Sequence, residues 1–384
     1  MARHYLDHAS TTPLRPEARA AMQDWADLGV TADPGRVHTE GLIVRAALED
    51  ARDRVAALFG VRPRQVVLTS GATEAINAAV WGTLADADGA PVAFAAVEHS
   101  AVRDASARRA PVVEIGVDRT GRISAVAVGE ALESSLAGHG RLPGLVHCQA
   151  ANHEVGTTQD VADVVALCAG RGIPVHVDAV AAAGHVPLDV DELGADLVSV
   201  SSHKLGGPPG VGALIVRRGL RIEPLLVGGE QERGRRAGLE DVVGAIGFGA
   251  AASALTEPGR LDAESAAARH HTDRLLAAAT AVPGVHPFGD TVHRVPHILC
   301  LGVDGVEAEP VLLGLDQAGV AVHSGSSCSS ESLEPSPVLE AMGVDSERSL
   351  RLSVGWSTTD ADVDAFADAF GGVVDRLRSL SHRD

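Results

Sequence analysis

Between residues 64 and 217 short apolar runs alternate with amphipathic stretches. RQVVLTS (64–70), PVAFAAV (91–97), PVVEIGV (111–117), LPGLVHCQA (142–150), IPVHVDAV (173–180), ADLVSVS (195–201) and VGALIVR (211–217) each read as a buried strand. ATEAINAAVWGTL (72–84), the stretch near 101–109 and VADVVALCAG (161–170) have helical spacing instead. This alternation predicts an α/β fold: a mostly parallel central sheet with helices on both faces. Past residue 257 the pattern changes. Helical stretches near 264–281, 307–319 and 361–380 flank the strand-like HILCLGV (297–303) and SLRLSVGW (349–356), and Glu257-Pro258-Gly259 marks a boundary. Thr359, with Asp362 three residues on, is a cap for the last helix.

In open α/β sheets ligands bind beyond the carboxyl ends of the strands, so the polar residues that end the runs matter most. Ser70-Gly71-Ala72-Thr73 ends the first and opens a helix, whose free N–H groups favour an anion. Glu98-His99 ends the second, Asn152 follows the run at 142–150, Asp178 ends IPVHVD, and Ser201-Ser202-His203-Lys204 ends ADLVSVS. An anion seat, an aspartate, an imidazole and a lysine thus converge on one sheet edge. Pyridoxal phosphate requires this set: a lysine for its aldehyde, an aspartate for its ring nitrogen and a cradle for its phosphate. A zinc reading from His147, His176, Asp178 and His203 has no HExxH motif or cysteine cluster behind it, and no metal is expected.

Composition narrows the class. Apolar residues make up 45% of the 384, and aromatic residues only 3%, so helices must pack through small and aliphatic side chains. The net charge of −19 argues against direct nucleic-acid binding. No run reaches the roughly 18 apolar residues of a membrane span, and the N-terminal MARHYLDHAS lacks a signal-peptide core. Four dispersed cysteines, Cys148, Cys168, Cys300 and Cys328, form no CxxC pair and suit a reducing cytoplasm. Cys328 differs from the others. It lies in HSGSSCSSES (323–332), a stretch of small hydroxyl residues that makes a poor core and a good loop.

The chain resembles the cysteine desulfurases, pyridoxal-phosphate enzymes of fold type I related to the class-V aminotransferases. The motifs that carry the resemblance run in family order: YLDHASTTP (5–13), TSGATEAIN (69–77), EHSAV (98–102), ANHEVGTTQ (151–159), HVDA (176–179), SSHKLGGPPGVGAL (201–214), ERGRRAG (232–238), SGSSCSSESLEPSPVL (324–339) and LRLSVG (350–355). The serine-rich cysteine loop is similar to that of the longer-loop, iron–sulfur-cluster group. The resemblance implies a large cofactor domain over about 14–257, and a small domain joining 1–13 to 258–384. It implies that Lys204 bonds the cofactor and moves the substrate Cα proton, that Asp178 pairs with the ring nitrogen, and that His99 stacks on the ring. Ala72, Thr73, Ser201 and His203 would hold the phosphate. Asn152 and Arg351 would hold the carboxylate of L-cysteine, for which a guanidinium fork is well shaped. Cys328, as thiolate, would take the sulfur as a persulfide. A free thiol of pKa about 8.5 is mostly protonated at neutral pH, so it needs a base, and His323 and His99 are both candidates.

The resemblance further implies a homodimer, with ERGRRAG near the neighbour's cofactor, and an acceptor protein for the sulfur. That acceptor could serve iron–sulfur assembly, tRNA thiolation or a biosynthetic carrier. Three positions depart from the family's pattern: Ala181 stands where glutamine is common, Leu239 where threonine is usual, and Trp356 where arginine is frequent. Asp33-Pro34 replaces an Asn-Pro. These departures keep two alternatives open, a selenocysteine lyase or other C–S lyase, and a non-catalytic scaffold.

Overall fold

The computed structural model describes residues 3–87, 89–324 and 335–381. The chain begins with a short strand β1 (His4–Tyr5), then helices α1 (Pro16–Leu28) and α2 (Thr39–Leu58). The alternating region follows as β2 (Val66–Thr69), α3 (Ala72–Thr83), β3 (Val92–Ala95), α4 (Ser100–Arg109), β4 (Val112–Ile115), α5 (Ala125–His139), β5 (Leu145–Gln149), α6 (Val161–Ala169), β6 (Val175–Asp178), α7 (Val190–Leu193), β7 (Leu197–Ser201) and β8 (Gly212–Val216). A single turn α8 (Gln231–Gly234) and the helices α9 (Val242–Thr256) and α10 (Arg260–Thr280) lead to β9 (Val285–Phe288) and β10 (Ile298–Val303). The chain closes with α11 (Ala308–Gln317), β11 (Val320–Ala321), β12 (His323–Ser324), α12 (Pro337–Ala341), β13 (Ser349–Ser353) and α13 (Asp360–Ser381).

The seven apolar runs form one sheet in the order β2-β8-β7-β6-β5-β3-β4. It is parallel from β7 to β4, while β8 runs antiparallel to both β7 and β2. Every residue of β2, β3, β5, β6, β7 and β8 is buried, as expected for strands covered on both faces. The strand order reverses between β3 and β5, which opens a crevice at their carboxyl ends. Helix α9 (VVGAIGFGAAASALT) is buried on nearly all sides against α1 and α2. Its small residues allow this: a Cβ on Gly249 would lie 2.8 Å from Ala51 Cα.

A second sheet, β12-β13-β10-β9, is antiparallel throughout. Its edge strand β9 (VHPF) was not apparent from the pattern, because Pro287 breaks a short run; proline is tolerated at an edge. Leu6 from the N-terminal segment joins a separate apolar cluster with Leu275, Leu301, Leu352, Phe366 and Phe370. β1 pairs in parallel with β11, and Asp7 bridges to Ser353, so the chain's start is stitched onto this second sheet. At α13, Asp362 accepts hydrogen bonds from the Thr359 N–H (2.8 Å) and hydroxyl (2.7 Å). Among the described residues no helix is long and apolar enough to cross a membrane.

Candidate active site

The carboxyl edge of the main sheet borders a cavity of about 480 Å³. Ala72, Thr73, His99, Asp178, Ser201, His203 and Lys204 from the strand-end list line it, and so does Arg351. Ser70 to Thr73 lead from β2 into α3. The N-cap is Gly71, at φ 153° and ψ 179°, a conformation open essentially to glycine alone, and among the described residues no side chain caps the helix. The first N–H groups of α3 are therefore not claimed by a capping side chain. The adjoining β8 begins at Gly212, where a Cβ would lie 2.8 Å from Gly71 Cα. The two glycines let the turn sit against the sheet.

After β7 a single 3-10 turn, Ser202–Lys204, lifts the lysine over the edge. Lys204 Nζ donates to the carbonyls of Ala9 and Ser10, the latter at 2.8 Å, so the N-terminal segment forms one wall. His203 Nδ1 is 3.1 Å from Thr11 Oγ1. Burial, with Lys204 beside it, pushes the His203 pKa down to about 4, so the ring is neutral. Asp178 ends β6 and is almost buried; its Oδ1 accepts the Val180 N–H at 3.0 Å. One layer beneath it, His147 and His176 share a 2.8 Å Nδ1···Nδ1 bond, and His176 Nε2 lies 2.7 Å from Ser199 Oγ. These nitrogens are spent on neighbouring side chains, and no metal-ligating cluster occurs among the described residues.

His99 caps α4: its Nδ1 accepts the Ala101 N–H at 3.0 Å. A backbone N–H can only donate, so the neutral ring carries its proton on Nε2. Glu98 beside it is 1% exposed. Its Oε1 accepts the Gln149 N–H at 2.6 Å, and its Oε2 has no hydrogen-bond partner among the described residues. Burial first, then the nearby Asp178, raise the Glu98 pKa well above the usual carboxylate range. Arg351 sits mid-strand in β13, 2% exposed. Its Nη2 donates to Asp7 (3.0 Å) and Ser10 (2.6 Å), its Nη1 to the His153 carbonyl (3.0 Å), and its Nε–H has no partner among the described residues.

Asn152 is not on the cavity wall. It is fully buried, its Oδ1 accepts the N–H groups of Glu154 and Val155 (both 2.8 Å), and its Nδ2 donates to Val97 (3.1 Å). Its neighbour His153 lines the cavity instead, edge-on to His99 with ring centroids 4.8 Å apart. Sequence reasoning also missed His185 and His297, which stack at 3.5 Å on the same wall. Lone histidines outside the strand-end list gave no signal of this. Of the departures, Ala181 lines the cavity, Leu239 is exposed, and Trp356 donates to the Pro13 carbonyl (2.9 Å) with the Arg15 guanidinium over its ring.

Cys148, Cys168 and Cys300 are buried. Burial pushes their thiols up, Cys168 to about 11, away from thiolate chemistry. Cys328 lies outside the described residues. His323, on its N-terminal side, is placed: its Nδ1 is 2.7 Å from the Ser324 carbonyl. A carbonyl can only accept, so the neutral ring carries its proton on Nδ1 and has Nε2 as its acceptor nitrogen.

Residues 4–366 match the family model for class-V aminotransferases. The cysteine desulfurase IscS of Dictyoglomus turgidum is 35% identical, over 98% of this chain and 96% of that one. The chain belongs to the cysteine desulfurase family. An IscS-like cysteine desulfurase of Mycobacterium tuberculosis is 38% identical, over 97% of each chain. Among solved structures, a NifS-like protein from Rickettsia africae superposes with a TM-score of 0.87 at 26% identity, covering 97% of this chain and 99% of that one. These matches span both sheets of the fold.

Proposed function

We propose that the protein is a pyridoxal-phosphate-dependent desulfurase that converts L-cysteine to L-alanine and collects the sulfur on Cys328. The observation that carries this reading is the convergence on one cavity of Lys204, Asp178, His99, Arg351 and the uncapped start of α3. The donor set fits the cofactor. The α3 N-terminus with Thr73, Ser201 and His203 would hold a phosphate, and Asp178 would hold a protonated ring nitrogen. Lys204 would bond the aldehyde. Once bound, the cofactor supplies an electron sink for bond cleavage at the amino acid.

The chain's own residues supply the rest. Arg351 meets the substrate carboxylate with a cation already fixed in place by Asp7, Ser10 and the His153 carbonyl. Lys204 Nζ moves the proton at Cα. His99, with its proton on Nε2, is in the form that donates, whereas His323 Nε2 is in the form that accepts. The tautomers therefore favour His323 as the base for the Cys328 thiol. The thiolate sulfur bonds to the substrate sulfur as the Cβ–S bond breaks. Cβ keeps that bond's electron pair and takes a proton to become the alanine methyl. In balance, L-cysteine and the Cys328 thiol give L-alanine and a Cys328 persulfide. Reduction of the persulfide by a thiol, or transfer to an acceptor protein, restores Cys328.

We assign 14–257 to the cofactor domain, and 1–13 with 258–384 to the small domain; the separate apolar cluster around Leu6, Leu301 and Phe366 supports the division. A homodimer is supported by exposed Leu226, Val227 and Leu239 in the segment that carries ERGRRAG. The sparse, buried cysteines support a reducing, cytoplasmic setting. The test is the Cys328→Ala variant, which should retain cofactor binding and lose persulfide formation. Full sulfur release by that variant would end the reading.

A further inference from the structure

The turn at 152–156, just after β5, is locked by its first residue. Beyond the Asn152 bonds to Glu154, Val155 and Val97, the Gly156 N–H returns to the Asn152 carbonyl at 3.1 Å. Three of the contacts that leave this rigid turn run toward the cavity and toward α12. The His153 ring packs edge-on against His99. The His153 carbonyl accepts from Arg351 at 3.0 Å. The Glu154 carboxylate accepts the hydroxyl of Ser336 at 2.5 Å. Glu154 and Ser336 are each 1% exposed.

Ser336 follows Cys328 in sequence and caps α12, its Oγ accepting the Leu339 N–H at 3.2 Å. A serine cap needs only its oxygen lone pair. It does not need a buried carboxylate on its proton; burying one is costly, and at Glu154 that cost is offset by the Ser336 hydroxyl and by His153 Nε2, 3.5 Å from Oε1. On the other side of the cysteine-bearing segment, His323 pairs in register with Arg351. Both flanks of that segment are thus tied to residues that line the cavity or support it.

We propose that Glu154 is a positioning residue for sulfur transfer: through Ser336 it fixes the C-terminal foot of the Cys328 segment to the turn that also sets His99 and Arg351. The proposal rests on the desulfurase reading. It gives Ser336, on the C-terminal side of Cys328, and Arg351 a common support in the 152–156 turn. A misplacement of about 1 Å can cost on the order of a hundredfold in rate.

The test uses the holoenzyme and the variants Ser336→Ala, Ser336→Thr and Glu154→Gln. Single-turnover persulfide formation on Cys328 is read by mass spectrometry. L-alanine affinity, read from the cofactor absorption, reports the cofactor and Arg351 sites without Cys328 and shows that each variant is folded. Ser336→Ala and Glu154→Gln should slow persulfide formation about ten- to a hundredfold, with L-alanine affinity within about twofold of wild type. The double variant should be no slower than the worse single one, and Ser336→Thr, which keeps the hydroxyl, should restore most of the rate. Wild-type persulfide rates in both Ser336→Ala and Glu154→Gln would overturn the proposal, as would losses matched by equally weakened L-alanine binding. A wild-type enzyme that binds the cofactor but forms no persulfide would instead overturn the desulfurase reading, and this inference with it.

Discussion

Gly212→Ala tests whether the anion cradle depends on close contact between two backbones. The added Cβ would lie 2.7 Å from the Val200 carbonyl oxygen and 2.8 Å from both Cα and C of Gly71. Non-bonded carbons sit comfortably at about 3.5–4.0 Å, so the start of α3 must withdraw by roughly 0.7 Å or more. All three obstacles are backbone, and no side chain can swing aside. Overpacking of this kind costs about 1–3 kcal/mol, which in a chain of this size lowers Tm by about 1–4 °C. The functional loss should be larger in proportion. A binding constellation tolerates about 0.5 Å of displacement, so cofactor affinity should fall about tenfold or more. Thermal unfolding of the apoprotein and an absorbance titration with pyridoxal phosphate measure the two effects. Gly116→Ala is the control, since a Cβ there meets nothing within 4 Å, and it should behave as wild type. A Gly212→Ala protein with wild-type Tm and wild-type cofactor affinity would refute the reasoning.

Other perturbations follow from the same geometry. Arg351→Lys cannot reproduce the fork that meets Asp7, Ser10 and the His153 carbonyl, so the KM for L-cysteine should rise about tenfold or more while the cofactor spectrum is kept; an unchanged KM would remove Arg351 from the carboxylate site. Glu98 holds its proton in the folded state above its ordinary pKa of 4.5, whereas the unfolded chain releases it, so wild type loses stability as pH rises from 4.5. Glu98→Gln lacks this loss, and its urea midpoint relative to wild type should climb between pH 4.5 and 8; a constant difference would contradict a protonated Glu98. Burial depresses His8 and His185 to about 4 and His176 to about 3. Above pH 6.5 they are neutral folded and unfolded, but below it only the unfolded chain takes up protons, so stability should fall steadily from pH 6.5 to 4. Flat urea midpoints across that window would mean that these rings are solvated.

The strands and most of the cavity wall were legible in the sequence because both follow from one rule. A strand buried on both faces must be continuously apolar, and its first polar residues mark where it meets solvent or ligand. Asp178, Ser201 and His99 were found this way. The direction of β8 was not legible, since VGALIVR reads the same in either sense and only its short link from Lys204 forces the reversal. Asn152 shows the limit of reasoning by residue type. A strand-end asparagine looks like a ligand, but here its amide is consumed by the turn that presents His153 and Glu154. His185 lies in a turn after β6 and His297 immediately before β10, and no local pattern announces that two distant histidines will stack. The tautomers of His99 and His323 are set by one backbone N–H and one carbonyl, which sequence does not display.

The central claim is most directly tested by adding L-cysteine to the purified holoenzyme and following L-alanine, sulfide and the mass of the Cys328 peptide together. L-alanine formed in step with a one-sulfur gain on that peptide, with sulfide released only when a reducing thiol is present, is the predicted result. Pyruvate in place of alanine, or alanine formed with no sulfur on Cys328, would contradict it.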